Sequence, residues 1–373
     1  MRHRWRIRPM IEALPAVVPF VGPEAQERAR GKPFLARIGA NECLFGPSPA
    51  AVEAMAQAGR DIWKYGDPEG HDLRHAIADH HGVSPENVVL GSGIDGLLGH
   101  VVRMFVEPGV SVVTSDGAYP TFNFHVLGHG GDLVRIPYAN DREDIGALVD
   151  AAGLTNASLL YLSNPDNPMG TWWLARDIAV LLNAMPDHCL LLLDEAYCEF
   201  APTEALLPID VSDRRVLRFR TFSKAYGMAG GRVGYCIGNR ELIAQFEKVR
   251  DHYGMNRTAE IGAIAALADQ AWLAETVRKT AAARRRISEI GRANGLSPLE
   301  SAANFVTLDC RRGPQFARAV LEAMLARGVF IRMPGVEPLS RCIRVSAGQP
   351  ADLDMFEEAL PLALVDAQHA SAD

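Results

Sequence analysis

Apolar residues fall along this chain in short, nearly unbroken runs separated by polar or glycine-rich turns. Seven runs, at 87–90, 111–114, 133–137, 158–162, 190–193, 216–219 and 232–237, are β-branched or leucine-rich and too short for helices. Such runs are expected of strands covered on both faces. Between several of them the spacing changes to a helical period, as at 94–106 and 174–185. This alternation predicts an α/β fold, a mostly parallel sheet flanked by helices. Upstream, Ser48-Pro49 reads as an N-cap followed by proline at the first helical position. A helix over 72–81 should stop at Gly82.

The stretch 258–294 is Ala-rich and helix-favouring, with Arg284-Arg285-Arg286 reading as a solvated face. The tail reads strand (304–309), helix (314–327), strand (329–332), strand (342–346) and helix (352–360), a small α+β unit. Pro361 should end or kink the last helix, and the residues after Val365 should fray. The expected organisation is a large α/β domain over 46–265, with 1–45 and 266–373 forming an N-terminal arm and a small α+β domain.

Composition narrows the function classes. The 373 residues, 48% hydrophobic and 22% charged, suffice for two or three domains of ordinary globular character. A net charge of −7 is the reverse of a nucleic-acid binder's, so no nucleic-acid partner is expected. The densest apolar stretch, 189–193, ends at Asp194, far short of a membrane span, so no membrane partner is expected either. Arg2, Arg4, Arg6 and Arg8 before the apolar 13–21 outline an export signal, but Glu12, Pro15 and Pro19 interrupt it. An ordered arm on a cytoplasmic protein is the expectation. The six cysteines are dispersed without metal-binding spacing, which predicts buried thiols and no metal site.

Four segments carry candidate chemistry. Gly91-Ser92-Gly93-Ile94-Asp95-Gly96 follows a predicted strand and opens a predicted helix, fitting G-x-G-x-x-G. It has no acidic residue at the end of the next strand, so a phosphate on helix N-terminal amides is better supported than a dinucleotide. The stretch 163–170 places two Asn-Pro turns at a strand's carboxyl end, where α/β ligands bind; alone it also reads as a plain Pro-rich loop. Asp194 ends an apolar strand, a carboxylate costly to bury unless paired. It could cap a helix or face a protonated ring nitrogen. In Thr221-Phe222-Ser223-Lys224, a lysine lies just past a strand, with Arg232 eight residues on. The other lysines are only Lys32, Lys64, Lys248 and Lys279. A lone lysine is usually a surface charge, but one held in a cleft can form a Schiff base. Thr221, Ser223 and Arg232 read as phosphate ligands around it.

Together these segments resemble one family, the pyridoxal-phosphate-dependent class I/II aminotransferases of fold type I, and within it the histidinol-phosphate aminotransferase branch. The resemblance runs from Leu14-Pro15 through Asn41-Glu42 and Gly46-Pro47-Ser48-Pro49 to Cys342-Ile343-Arg344-Val345-Ser346. It implies a large domain with a mostly parallel seven-stranded sheet, a small α+β domain, a homodimer with shared sites and pyridoxal 5'-phosphate as cofactor. By this resemblance Lys224 is the Schiff-base lysine and then the base and acid of the proton shift. Asp194 pairs with the pyridine nitrogen, and Asn167 and Tyr197 hydrogen-bond the ring's phenolic oxygen. Tyr119 stacks on the ring face, or else simply packs in the core. The phosphate is held by the amides around Gly93, Ile94 and Asp95, by Thr221, Ser223 and Arg232, and by Tyr65 from the other subunit. Arg344 clamps the substrate carboxylate, and Arg332 is a second anion contact or a solvated strand residue.

The departures concern the substrate. The usual Asn-Pro-Asn-Asn-Pro-Thr-Gly reads Asn164-Pro165-Asp166-Asn167-Pro168-Met169-Gly170, and the usual Tyr-Pro-Asp reads Tyr65-Gly66-Asp67. The usual Asn-Glu-Asn-Pro reads Asn41-Glu42-Cys43-Leu44, and an arm Pro-Tyr reads Pro19-Phe20. If that tyrosine's hydroxyl helps hold a substrate phosphate, Phe20 removes it. The resemblance therefore implies ping-pong transfer between 2-oxoglutarate and a donor that is histidinol phosphate or an aromatic or other amino acid. Three alternatives stand beside it. A phospho-amino-acid decarboxylase would use the same scaffold. A nucleotide-dependent oxidoreductase would leave Lys224, Asp194 and Asn167 unexplained. A non-catalytic ligand-sensing domain expects fused DNA-binding helices, for which the arm before Asn41 is too short.

Overall fold

Each of the seven apolar runs forms a strand of one sheet. In the computed structural model, which describes residues 5–16 and 21–370, the strands are β1 (Ala36–Arg37), β2 (Val88–Gly91), β3 (Ser111–Ser115), β4 (Asp132–Ile136), β5 (Leu159–Ser163), β6 (Leu190–Asp194), β7 (Val216–Thr221), β8 (Gly234–Ile237), β9 (Ser297–Pro298), β10 (Phe305–Asp309), β11 (Val329–Phe330) and β12 (Cys342–Ser346). The large sheet has the order β2-β8-β7-β6-β5-β3-β4. All its pairings are parallel except those of β8, which is antiparallel to both β2 and β7. Helices cover both faces, which is why β5 and β6 are buried along their whole length and can be almost pure leucine.

Register sets the site. Ser163 pairs with Asp194 across β5 and β6, and Thr221 ends β7 opposite Gly234. The carboxyl ends of β5, β6 and β7 therefore bring Ser163, Asp194 and Thr221 to one edge, the crevice where parallel sheets bind ligands. The helix Gly93–Phe105 starts at the same edge. Gly93 has φ +80°, and a Cβ there would collide with the Arg232 guanidinium. The neighbouring expectations also hold: Ser48 Oγ accepts from the amides of Ala50 and Ala51, and Gly82, in the left-handed region, ends the helix His71–His81.

A second unit has its own core around Ile287, Val306, Leu308, Val320, Ile343 and Phe356. Its antiparallel sheet has the order β12-β10-β9. The parallel pairing of β1 with β11 stitches the chain before the large sheet into it.

The structure departs from the sequence pattern in four places. The helical stretch 258–294 is two helices, Arg257–Ala268 and Gln270–Ala293. Asp269 breaks it, accepting the Trp272 amide at 3.0 Å as an N-cap and the Ser48 hydroxyl at 2.7 Å. Arg284 does not belong to a solvated face, because its guanidinium is half-buried on the carbonyls of Ser301 and Ala303. The seventh run becomes strand only from Gly234, since Arg232 takes φ +55°. Finally, the last helix runs Pro350–Ala370, straight through Pro361 and past Val365. Interior proline costs about 3 kcal/mol. Burial of Leu360, Ala363, Leu364 and Ala367 offsets that cost, and the Glu357 carbonyl deprived of its donor lies on the exposed face.

Candidate active site

A cavity of about 120 Å³ opens at this edge. One end is a nest of donors. The first turn of the helix Gly93–Phe105 has no side-chain cap, so its amides are unsatisfied, and Ile94 and Asp95 line the cavity. Thr221 Oγ1 donates to Ser223 Oγ at 2.9 Å, and Arg232 Nη1 donates to the same oxygen at 3.2 Å. Among the described residues no acid pairs with Arg232. A cation, two hydroxyls and a helix N-terminus together have the chemistry to hold a doubly charged anion such as a phosphate.

At the other end Asp194 is almost completely buried. Its Oδ1 accepts the Ala196 amide at 2.9 Å and its Oδ2 accepts the Tyr161 hydroxyl at 2.7 Å. Burial pushes its pKa up to about 6, against the pull of those two donors and of Lys224. Glu195, the next residue, turns away into a buried ion cluster with Arg218 and with Arg220, at 2.9 Å. Burial would raise its pKa, but Arg220 and Arg218 together hold it below the usual carboxylate range. Of two adjacent acids, one is sealed by arginines and the other faces the cavity.

Lys224 lies between these ends. Its Nζ donates to the Asn41 carbonyl at 3.1 Å and sits 5.4 Å from the centre of the Tyr197 ring. Burial, then the charge of Arg344, lowers its pKa to about 8, although Asp194 and Glu42 oppose the change. A sizeable neutral fraction near neutral pH makes this amine a nucleophile and a base. Tyr197, its pKa pushed up to about 12 by burial, accepts a hydrogen bond from Asn41 Nδ2 at 3.2 Å.

A second cavity, of about 530 Å³, shares Tyr119 and Asn167 with the first. Arg344 and Arg332 line it, and their backbones pair between β12 and the segment after β11. Arg344 Nη1 donates to Asn167 Oδ1, and its guanidinium lies 5.0 Å from the Phe305 ring centre. Its Nε is buried with no hydrogen-bond partner among the described residues. Leu14 and Pro15 of the arm close one wall.

The profile described as "Aminotransferase class I and II" matches residues 35–360. The chain belongs to this family. Its crystallographic relatives include a histidinol-phosphate aminotransferase from Sinorhizobium meliloti in complex with pyridoxal-5'-phosphate. That structure is 51% identical, with a TM-score of 0.94 over 98% of this chain and 99% of its own. Histidinol-phosphate aminotransferase 1 of Mesorhizobium japonicum is 36% identical over 87% of this chain and 89% of its own length. An aspartate aminotransferase from Thermus thermophilus, 22% identical with a TM-score of 0.80, covers 98% of this chain and all of its own (100%) and shares the fold. The sheet and the accompanying smaller unit are thus the fold-type I architecture.

For this aminotransferase, the residues singled out from sequence fall into three groups. Ile94, Asp95, Tyr119, Asn167, Asp194, Tyr197, Thr221, Ser223, Lys224 and Arg232 line one cavity, with Gly93 packed behind Arg232. Arg344 and Arg332 line the adjoining one. Tyr65 is not at the site of its own chain: it is 80% exposed, its ring 4.8 Å from that of Tyr253. Phe20 lies outside the described residues. Sequence reading missed two positioning residues. Tyr161 sits inside an apolar strand and reads as core. Asn41, at φ +56°, joins Lys224, Tyr197, Ser346 and Asn304 through its backbone and amide, contacts that only the fold assembles.

Proposed function

We propose that this chain is a pyridoxal-5'-phosphate-dependent aminotransferase that takes amino groups from histidinol phosphate, or an aromatic or other amino acid, and passes them to 2-oxoglutarate in two half-reactions. One observation carries this reading: a single lysine in the cavity, half-buried, lies between a phosphate receptor that no described acid pairs and a buried carboxylate. The cofactor has the matching parts, a phosphate, an aldehyde and a basic ring nitrogen. Bound there, it supplies a carbonyl that condenses with amines and a ring that accepts electron density from the substrate's α-carbon.

The chain's own residues do the rest. Arg232, Thr221, Ser223 and the helix amides anchor the phosphate. Asp194 holds a proton on the ring nitrogen. Asn167 and Tyr197 hold the phenolic oxygen, and Tyr119 covers the ring face. Lys224 Nζ, freed when the substrate amine takes its place, removes and returns the α-proton. Arg344, supported by Arg332, offers two parallel N–H donors to the substrate's anionic group, which orients the α-carbon towards Lys224.

The test is an absorbance scan of purified protein with added pyridoxal phosphate, titrated with L-glutamate. The expected result is a visible band from the lysine-bound cofactor that converts to the pyridoxamine form. No band with excess cofactor would overturn the reading of Lys224. A band indifferent to glutamate, histidinol phosphate and aromatic amino acids would overturn the transaminase reading.

The proposal extends to a cytoplasmic homodimer built from a large domain over 46–265 and a small domain completed by the arm. No helix among the described residues is long and apolar enough to cross a membrane. The cysteines are free, and all but Cys43 are buried. Ile62, Trp63, Tyr65 and Tyr253 are all more than half exposed, and the rings of Tyr65 and Tyr253 meet at 4.8 Å, exposed apolar area that a second copy would cover. Mixing Tyr65→Ala and Lys224→Ala chains tests whether sites are shared. If Tyr65 serves its partner's site, each mixed dimer has one intact site. Equal mixing should then restore about a quarter of native activity. No gain over the separate variants would place Tyr65 outside the partner's site.

A further inference from the structure

Behind the Arg344–Asn167 contact lie two buried carboxyl groups that the proposed reaction does not use. Asp166, 2% exposed, immediately precedes Asn167. Its Oδ1 accepts the Tyr138 hydroxyl at 2.8 Å and its Oδ2 the Met169 amide at 3.0 Å. Its backbone is pinned to Thr171 and Gly170, so the turn presents Asn167 to Arg344. Glu143, 1% exposed, accepts the Ser163 amide at 3.1 Å through Oε2, and the Ser115 side chain also acts on its carboxyl group. Trp173 Nε1 locks the Glu143 carbonyl at 3.0 Å.

We propose that Asp166, backed by Glu143, is a proton-linked positioning residue that sets how much positive charge Arg344 offers to the substrate's anionic group. Two buried acids that act on each other through their charges do not both ionise. Burial and the charge of Asp166 keep Glu143 neutral. Asp166 is the member that titrates: burial pushes it up to about 7, against the donors Tyr138 and Met169 and the charge of Arg344. The titratable and charged groups acting on the pair are Tyr138 after β4, Tyr161 on β5, Arg344 on β12, Tyr197 after β6, and Asp194 at the end of β6. Arg344 is the only cation among them. Ionised, Asp166 offsets the guanidinium and weakens its hold on an anion; protonated, it leaves the charge unopposed. Anion binding therefore favours protonated Asp166, and affinity falls as pH rises through about 7.

This inference rests on Arg344 holding the substrate's anionic group. The test measures binding of 3-phenylpropionate, an unreactive carboxylate, to the cofactor-loaded protein by calorimetry between pH 6 and 8.5. Native protein should lose affinity about tenfold across this range and take up protons on binding near neutrality. Asp166→Asn keeps the shape and should lose that component, binding 3-phenylpropionate about tenfold tighter than native at pH 8.5; in turnover of an amino-acid substrate the change should be carried by KM rather than kcat. Tyr138→Phe removes a bond that favours the ionised form, so its midpoint should move upward. Asp166→Asn with the native pH dependence overturns the proposal. If Asp166→Asn fails to fold, an unmoved midpoint in Tyr138→Phe overturns it. Carboxylate binding that survives Arg344→Ala would instead refute the role given to Arg344, a separate failure.

Discussion

Replacing Lys224 with alanine is expected to lower transamination by on the order of 10⁴-fold or more, because one amine both tethers the cofactor and moves the proton. No other described lysine lines the cavity. Lys32, Lys64 and Lys248 are exposed and Lys279 lies beside Phe45 and Trp272, so none can substitute. The fold should tolerate the change, since the Asn41 carbonyl keeps its bond from Asn304 at 3.0 Å. The variant should still hold pyridoxal phosphate through Arg232, Thr221 and Ser223, but without the visible band of the covalent form. A small added amine that fits the vacated volume should restore part of the proton-transfer rate. Steady-state turnover decides the matter: a variant with one-tenth of native kcat would remove Lys224 from the chemistry.

The large sheet was legible in the sequence because parallel strands covered on both faces must be written as continuous apolar runs, and helices between them change the period. The proposed phosphate receptor was legible as a cluster because Gly93, Thr221, Ser223 and Arg232 lie in two short segments that the fold brings to one cavity. What stayed hidden depends on tertiary placement. Tyr161 looks like any core tyrosine until the register of β5 against β6 sets its hydroxyl on Asp194. Asp166 looks like a loop acid until the fold sets the Tyr138 hydroxyl on it and brings it under the charge of Arg344. Asp269 and Pro361 misled for a related reason. Asp269 is a residue type that caps helices, but the Ala-rich period on both sides of it reads as one helix until its carboxylate takes the Trp272 amide and the Ser48 hydroxyl. Local propensity gives Pro361 every reason to end a helix, absent the core that Leu364 and Ala367 fill.

Asp194→Asn should separate charge from shape at the ring nitrogen. The amide oxygen can still accept from the Ala196 N–H and its NH2 can donate to the Tyr161 hydroxyl, so the cavity keeps its form and the cofactor its phosphate anchor. What disappears is the negative charge that holds a proton on the ring and lets it accept electrons from the substrate. Loss of one such preorganised electrostatic partner lowers rates by about 10²- to 10³-fold. The loss should appear in kcat at saturating cofactor and substrate, with the visible band retained. Glu195→Gln is the informative comparison, one residue further along the same strand end. It leaves Arg218, only 3% exposed, and Arg220 without their counter-charge. Breaking a buried pair of this kind costs about 3–5 kcal/mol of stability. Its effect should therefore fall on the melting temperature while turnover per folded molecule stays near native. If Asp194→Asn instead melts early and turns over normally, the ring nitrogen takes its proton from elsewhere, and Asp194 only caps the turn at Ala196.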